Sequence, residues 1–171
     1  PPEVRRSNLA QVILRMASLG LGEVGGFPFI DPPRHAAVRD GYDTLLEIGA
    51  LSRDRSLTLI GERLAEMPVD PRLGRMLIAG HEARCLGAVL PVVAALAIGE
   101  VRLRPPEDPE GADRAHAMFV DERSDFLTLV KVRDFVHRQR QKLSRRGFQH
   151  ACRDRMLSHT RCREWLELHR Q

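Results

Sequence analysis

Aromatic side chains are scarce in this chain: one Trp, one Tyr and six Phe, 5% of 171 residues. Its core must therefore rest on Leu, Val, Ile and Ala. Cysteine is scarcer still. Cys85, Cys152 and Cys162 are odd in number and form no CxxC pair. A secreted disulfide framework is thereby disfavoured, and a reducing cytosol is the expected compartment. Long apolar runs are missing too. The longest, AVLPVVAALAI over residues 88–98, falls well short of the roughly 20 residues that span a bilayer. It reads as a buried helix, so no membrane partner is expected. The first residues, PPEVRRSNLAQV, lack the continuous apolar core of a signal peptide. They also lack an initiating Met, which suggests a piece of a longer chain. No GxxxxGK[ST] loop occurs, so no phosphate cradle of that kind is encoded. No Ser stands at a Gly-x-Ser-x-Gly turn, and no nucleophile–base set is recognisable.

What is present is ordinary for a globular protein: 43% hydrophobic and 29% charged residues. The length suits one large domain or two small ones. Charge is unevenly spread along it. Residues 1–130 hold 15 basic and 19 acidic side chains, whereas residues 131–171 hold 12 basic and 4 acidic. A polyanion would be drawn to the C-terminal quarter. The alternative is a solvated charged surface. Arg far outnumbers Lys throughout, which reads as base composition of the genome.

Helix signals run from end to end. Ser7 precedes an apolar face of Leu9, Val12, Ile13 and Met16. The glycine-rich LGLGEVGGFPF, residues 19–29, cannot continue that helix. Asp31, followed by Pro32 and Pro33, resembles a cap-and-proline start for a second helix, which Gly49 ends. Residues 50–61, ALSRDRSLTLIG, read as a hairpin: Leu51 ends one short strand, and Leu57 and Leu59 alternate with Thr58 in the next. A short helix, GERLAEM, follows. Then MPVDPRLGRMLIAG forms a joint, in which Pro68 stops one element, Asp70 caps the next and Pro71 takes its first position. Helix, helix, hairpin and short helix suit a small winged-helix domain over 1–67. Beyond the joint the pattern is all helical, giving a bundle over 68–171. Expected helices are 71–84, 88–98 with Pro91 in its first turn, 125–141 capped by Ser124, 147–156 and 159–170. The proline- and glutamate-rich stretch 99–112 reads as a surface loop. The fold class is thus mainly α, with one β-hairpin.

At this point PPEVRRSNLAQVIL, FPFIDPP, LTLIGERLAEMPVDPRLGRML and AHAMFVDERSDFLTL together resemble the C-terminal accessory region of DEAH-box RNA helicases, closest to the bacterial HrpA-type members. They stand in the family's order and spacing over about residues 2–130, and REWLELHRQ near the end is also similar. The resemblance implies a winged helix followed by a ratchet-like helical bundle (the HA2 region). These would lie after two RecA-like motor domains and before an OB-fold. Those motor domains, in the same parent chain, would be the partner, together with single-stranded RNA. ATP and Mg would be cofactors of the motor and not of this fragment, which has neither a DEAH nor a QRxGR sequence. The implied role is non-catalytic: packing on the motor and guiding the strand, in the cytoplasm.

Two basic groups are candidates for the RNA contact. Over 125–140 the apolar residues Phe126, Leu129, Val130, Val132 and Val136 span a wide face. At 100° per residue Arg133 and Arg140 project beside Leu129 and Val136. They either line a channel and meet phosphates, or pack their stems and pair their heads with a carboxylate or water. In KLSRRG, Lys142, Arg145 and Arg146 cluster at a helix break and either touch phosphates or form a solvated loop. His150, Cys152, His159 and Cys162 lack the tight paired spacing of a structural zinc site, so no metal is expected. Trp165 reads as core, with base stacking as its alternative. Two rival functions stay open. One is a free-standing winged-helix regulator of duplex DNA, which the acidic balance of helix 34–48 disfavours. The other is a scaffold without nucleic-acid contact.

Overall fold

A computed structural model describes residues 9–168; the Ser7 cap expected from the sequence lies outside them. Among the described residues there are nine α-helices: α1 Leu9–Ser18, α2 His35–Glu47, α3 Leu59–Glu66, α4 Pro71–Glu82, α5 Leu86–Ile98, α6 Pro109–His116, α7 Asp125–Lys142, α8 Arg145–Asp154 and α9 His159–Leu168. The architecture is mainly α. None of these helices is long and apolar enough to cross a membrane. The chain forms two compact units, the first reaching Ala79 and the second starting at Gly80.

In the first unit α1 packs on α2 and α3. Gly41 permits the close approach of α1 to α2, since a Cβ there would stand 2.6 Å from Ile13 Cδ1 and 3.2 Å from the backbone N of Ala10. The core holds Ile13, Leu14, Leu45, Leu51 and Leu64. α2 starts at His35 and not beside Asp31, and its N-cap residue Arg34 makes no side-chain cap bond. Pro33 holds Pro32 extended, so the helix cannot begin there. At the other end Gly49 takes φ +71°, and Ala50 N–H returns to the Leu45 carbonyl at 2.8 Å, the left-handed stop that glycine favours.

The expected hairpin has no strands and is reduced to a bridged turn. Among the described residues there are no strands; an isolated antiparallel bridge joins Leu51 to Leu57 where the hairpin is expected, and a second joins Arg102 to Leu157. Thr58 explains the outcome. Its Oγ1 donates to the Gly49 carbonyl at 2.7 Å and accepts from Gly61 N–H at 3.0 Å. That makes it the N-cap of α3, so Leu59 enters a helix, 76% exposed, instead of a second strand. The next cap, Asp70, accepts from Arg72 N–H at 2.9 Å ahead of α4. The first turns of α4 belong to this unit: Arg72 Nη2 donates to Thr44 Oγ1 at 3.1 Å, and Ile78 joins the core.

The second unit is built around α7, which meets α5 and α8, while α9 meets α5 and α8. α5 starts at Leu86, which places the buried Pro91 inside the helix and not in its first turn. The stretch expected as loop 99–112 contains the start of α6. There Asp108 accepts from Gly111 N–H at 2.9 Å, and Pro109 takes the first position. α7 buries Thr128, Val132, Phe135 and Val136. Phe126, expected on the apolar face, is 51% exposed. Phe135 takes the core place instead, edge-on to Phe119 with ring centroids 5.3 Å apart.

The chain before α7 is fastened by Asp121. Its carboxylate pairs with Arg123 at 3.0 Å and with Lys131 at 3.1 Å, and its N–H donates to Thr128 Oγ1 at 2.9 Å. Hydrogen bonds from Arg123 and then Lys131 hold this carboxyl well below its ordinary pKa of 3.8. A pKa depressed in the folded state adds stability at neutral pH that is lost as pH falls. Asp121→Asn is therefore expected to melt at a lower temperature at neutral pH, with the gap to the parent closing as pH drops below 3.8. Circular-dichroism melts across that range would show it, and parallel curves would refute it.

Candidate nucleic-acid interface

α7 and α8 are separated by Leu143 and Ser144 alone. Leu143 is extended at φ −113°, and Ser144 caps α8 by accepting from Gly147 N–H at 3.2 Å. This turn brings Arg140, in the last turn of α7, and Arg145, the first residue of α8, to one cleft of about 510 Å³. α9 lines it with His159, Arg163 and Glu167, and His137 adds from α7.

The cleft is positive. Arg163 lies 3.5 Å from Glu167. Among the described residues no carboxylate lies within ion-pair distance of Arg140 or Arg145. The first turn of α8 contains no acidic residue and starts with Arg145 and Arg146. A helix N-terminus already carries about half a positive charge, so each cation there costs about 0.3–1 kcal/mol. An anion in the cleft relieves both the side-chain and the helix-end repulsion.

Two imidazoles share this setting. The Gln141 amide lies 2.8 Å from His137 Nε2. His159 packs against Phe148, with ring centroids 5.4 Å apart, and its Nε2 is enclosed without a hydrogen-bond partner. Burial, then the charges of Arg163 and Arg145, lower its pKa below 6.5.

Of the residues singled out from sequence, the cleft unites Arg140 and Arg145. Lys142 and Arg146 are exposed on either side of the break and do not line it. Arg133 lies elsewhere on α7, partly buried, with Nη1 3.1 Å from Asp134. The sequence reading missed Arg163, His137 and His159. A signal existed for part of this set, because His159, Arg163 and Leu166 repeat at helical spacing on one face of α9.

Cys152 and Cys162 are free thiols buried in the core of the second unit. His150 is exposed. Among the described residues no three His, Cys, Asp or Glu side chains converge on a metal position. Trp165 is 1% exposed, and its Nε1–H donates to the Pro91 carbonyl at 2.9 Å, so it packs the core.

The second unit is helical and carries a basic, open cleft, and the sequence gives its class. Residues 70–129 match the helicase associated domain (HA2), ratchet-like. The chain is similar to the accessory regions of DEAH-box helicases of the HrpA type. It is 37% identical over 175 residues to the ATP-dependent RNA helicase HrpA of Escherichia coli, covering 99% of this chain and 14% of that protein. It is 36% identical over 177 residues to the HrpA homolog of Haemophilus influenzae, with the same coverage of each chain. The pre-mRNA-splicing factor ATP-dependent RNA helicase prp22 of Schizosaccharomyces pombe is 34% identical over 131 residues, 77% of this chain and 11% of that one. The chain thus spans about 14% of the length of the HrpA relatives. The cleft residues fall after the HA2 match and within the stretch aligned to HrpA.

Proposed function

We propose that this chain is a non-catalytic segment of an ATP-dependent RNA helicase, packing on the motor domains and guiding single-stranded RNA. In this reading residues 1–67 serve as a winged helix whose wing is the turn closed by the Leu51–Leu57 bridge. Residues 68–171 serve as the ratchet-like bundle. ATP and Mg are handled by motor domains of the parent protein. The observation that supports the RNA role is the pair Arg140 and Arg145, without a carboxylate partner among the described residues and brought from two helices to one cleft with Arg163. Lys142 and Arg146 extend the basic surface along the break. Such groups hold phosphates without reading sequence. Arg133, already paired with Asp134, contributes least.

Fluorescence anisotropy of a labelled single-stranded RNA, titrated with this chain at several salt concentrations, tests the reading. Binding is expected to weaken with salt. Arg140→Ala/Arg145→Ala is expected to bind about tenfold or more weakly, with a salt slope shallower by about 1 for each phosphate it no longer holds. Arg133→Ala is expected to bind like the parent. Undiminished binding by the double variant would move the RNA contact to another surface. No binding even at low salt would make the chain a scaffold.

A further inference from the structure

The setting of His159 goes beyond a basic cleft and rests on the reading of that cleft as an RNA-phosphate site. His159 lines this cleft with Arg145 from α8, His137 and Arg140 from α7, and Arg163 and Glu167 from α9 itself, and it lines a neighbouring cleft with Arg153 from α8. The segment at 103–105 brings only Leu103 and Pro105. Four guanidinium groups therefore stand against one carboxylate, and that carboxylate is shared with Arg163. Nε2 is enclosed with nothing to bond to. In the free protein the imidazole has every reason to stay neutral: its cationic form would be desolvated and repelled.

A bound phosphodiester changes both conditions. Its charge, which does not titrate where imidazoles do, offsets Arg140, Arg145 and Arg163. Its oxygens also supply acceptors to a cleft that has one carboxylate. We propose that His159 takes up a proton from solvent when an RNA phosphate occupies this cleft, and releases it when the strand leaves. Strand binding is then proton-linked: affinity rises as pH falls, by at most tenfold per pH unit, the limit for one proton. The sign follows from the bound state having the higher affinity for the proton. His137 is the other imidazole in the cleft. Its Nε2 already has the Gln141 amide for a neighbour, and it serves as the control.

The test is the Kd of the chain for a short labelled single-stranded RNA at constant ionic strength between about pH 8 and about pH 6. Measurements are made on the parent, His159→Gln, His137→Gln and Arg140→Ala/Arg145→Ala. The parent is expected to tighten several-fold or more toward the acid end. His159→Gln is expected to lose that slope while still binding, and His137→Gln to keep it. A slope that persists in His159→Gln, or a parent without one, overturns the proposal. If the double-arginine variant still binds more weakly in that case, the phosphate reading survives alone. If the double variant binds like the parent, the phosphate reading itself falls. A second readout avoids variants: the His159 imidazole resonance of the parent, titrated by NMR with and without saturating RNA. Its midpoint is expected to move to higher pH with RNA, and an unmoved midpoint refutes the proposal.

Discussion

Trp165→Ala is expected to destabilise the second unit by about 3–5 kcal/mol, the range for truncating a buried large aromatic. The indole is 1% exposed, and its N–H donates to the Pro91 carbonyl at 2.9 Å, tying α9 to α5. The core it shares includes Val132, Val136, Phe148, Leu157, Cys152 and Cys162. The cost within that range is set by how much of the vacated volume these neighbours leave open. Removing the hydrogen bond adds about 0.5–1.5 kcal/mol. Trp165→Phe separates the two contributions, because it keeps most of the ring volume and drops the donor. Urea unfolding followed by circular dichroism measures both. A loss under about 1 kcal/mol for the alanine variant would mean the indole is not the keystone of this core.

The second large effect reverses a familiar sign. Glycine to alanine inside a helix ordinarily gains up to about 1 kcal/mol, and Gly87 in α5, where a Cβ would meet nothing within 4 Å, is expected to follow that rule. Gly61 in α3 is expected to do the opposite. A Cβ there would overlap the carbonyl oxygen of Ala50 and lie 2.7 Å from Leu57 Cδ1. The oxygen is backbone and is already engaged by Thr58 N–H at 3.1 Å, so it has no cheap way to move. Relief requires α3 to shift away from residues 50–51, which also strains the Thr58 cap. Overpacking of this kind costs about 1–3 kcal/mol and sometimes more. Melting of Gly61→Ala beside Gly87→Ala is the measurement, and a Gly61→Ala protein as stable as its parent would refute the close approach.

Local devices are the legible part of this fold. Asp70 with Pro71, and Ser124, announce α4 and α7 because a capping side chain and a proline act on their own helix ends. The same device misleads twice. At Asp31 a second proline forbids the helical conformation at Pro32. At Asp108–Pro109 the density of prolines and glutamates points to a loop although the cap is intact. The missing strands of the hairpin have a different cause. Alternation of Leu57, Thr58 and Leu59 is a strand pattern, but the Thr58 hydroxyl reaches across to the Gly49 carbonyl, a tertiary contact that periodicity does not encode. The site divides in the same way. Arg140 and Arg145 stand out by charge density around a helix break. Arg163 and His137 join them only because three helices converge, and Phe126 is exposed for no reason that the sequence contains.

The chain's single tryptophan and single tyrosine fall in different units. Trp165 lies in the core of the second unit, and Tyr42 lies in the first beneath the Arg55 guanidinium, 4.4 Å from its ring centroid. Each half of the molecule thus carries its own optical label without any engineering. Indole emission follows residues 80–171, and the phenol signal follows the helices before Ala79. Coincident transitions would define one cooperative folding block. Separated ones would give each half its own free energy, and with it the order in which the halves come apart.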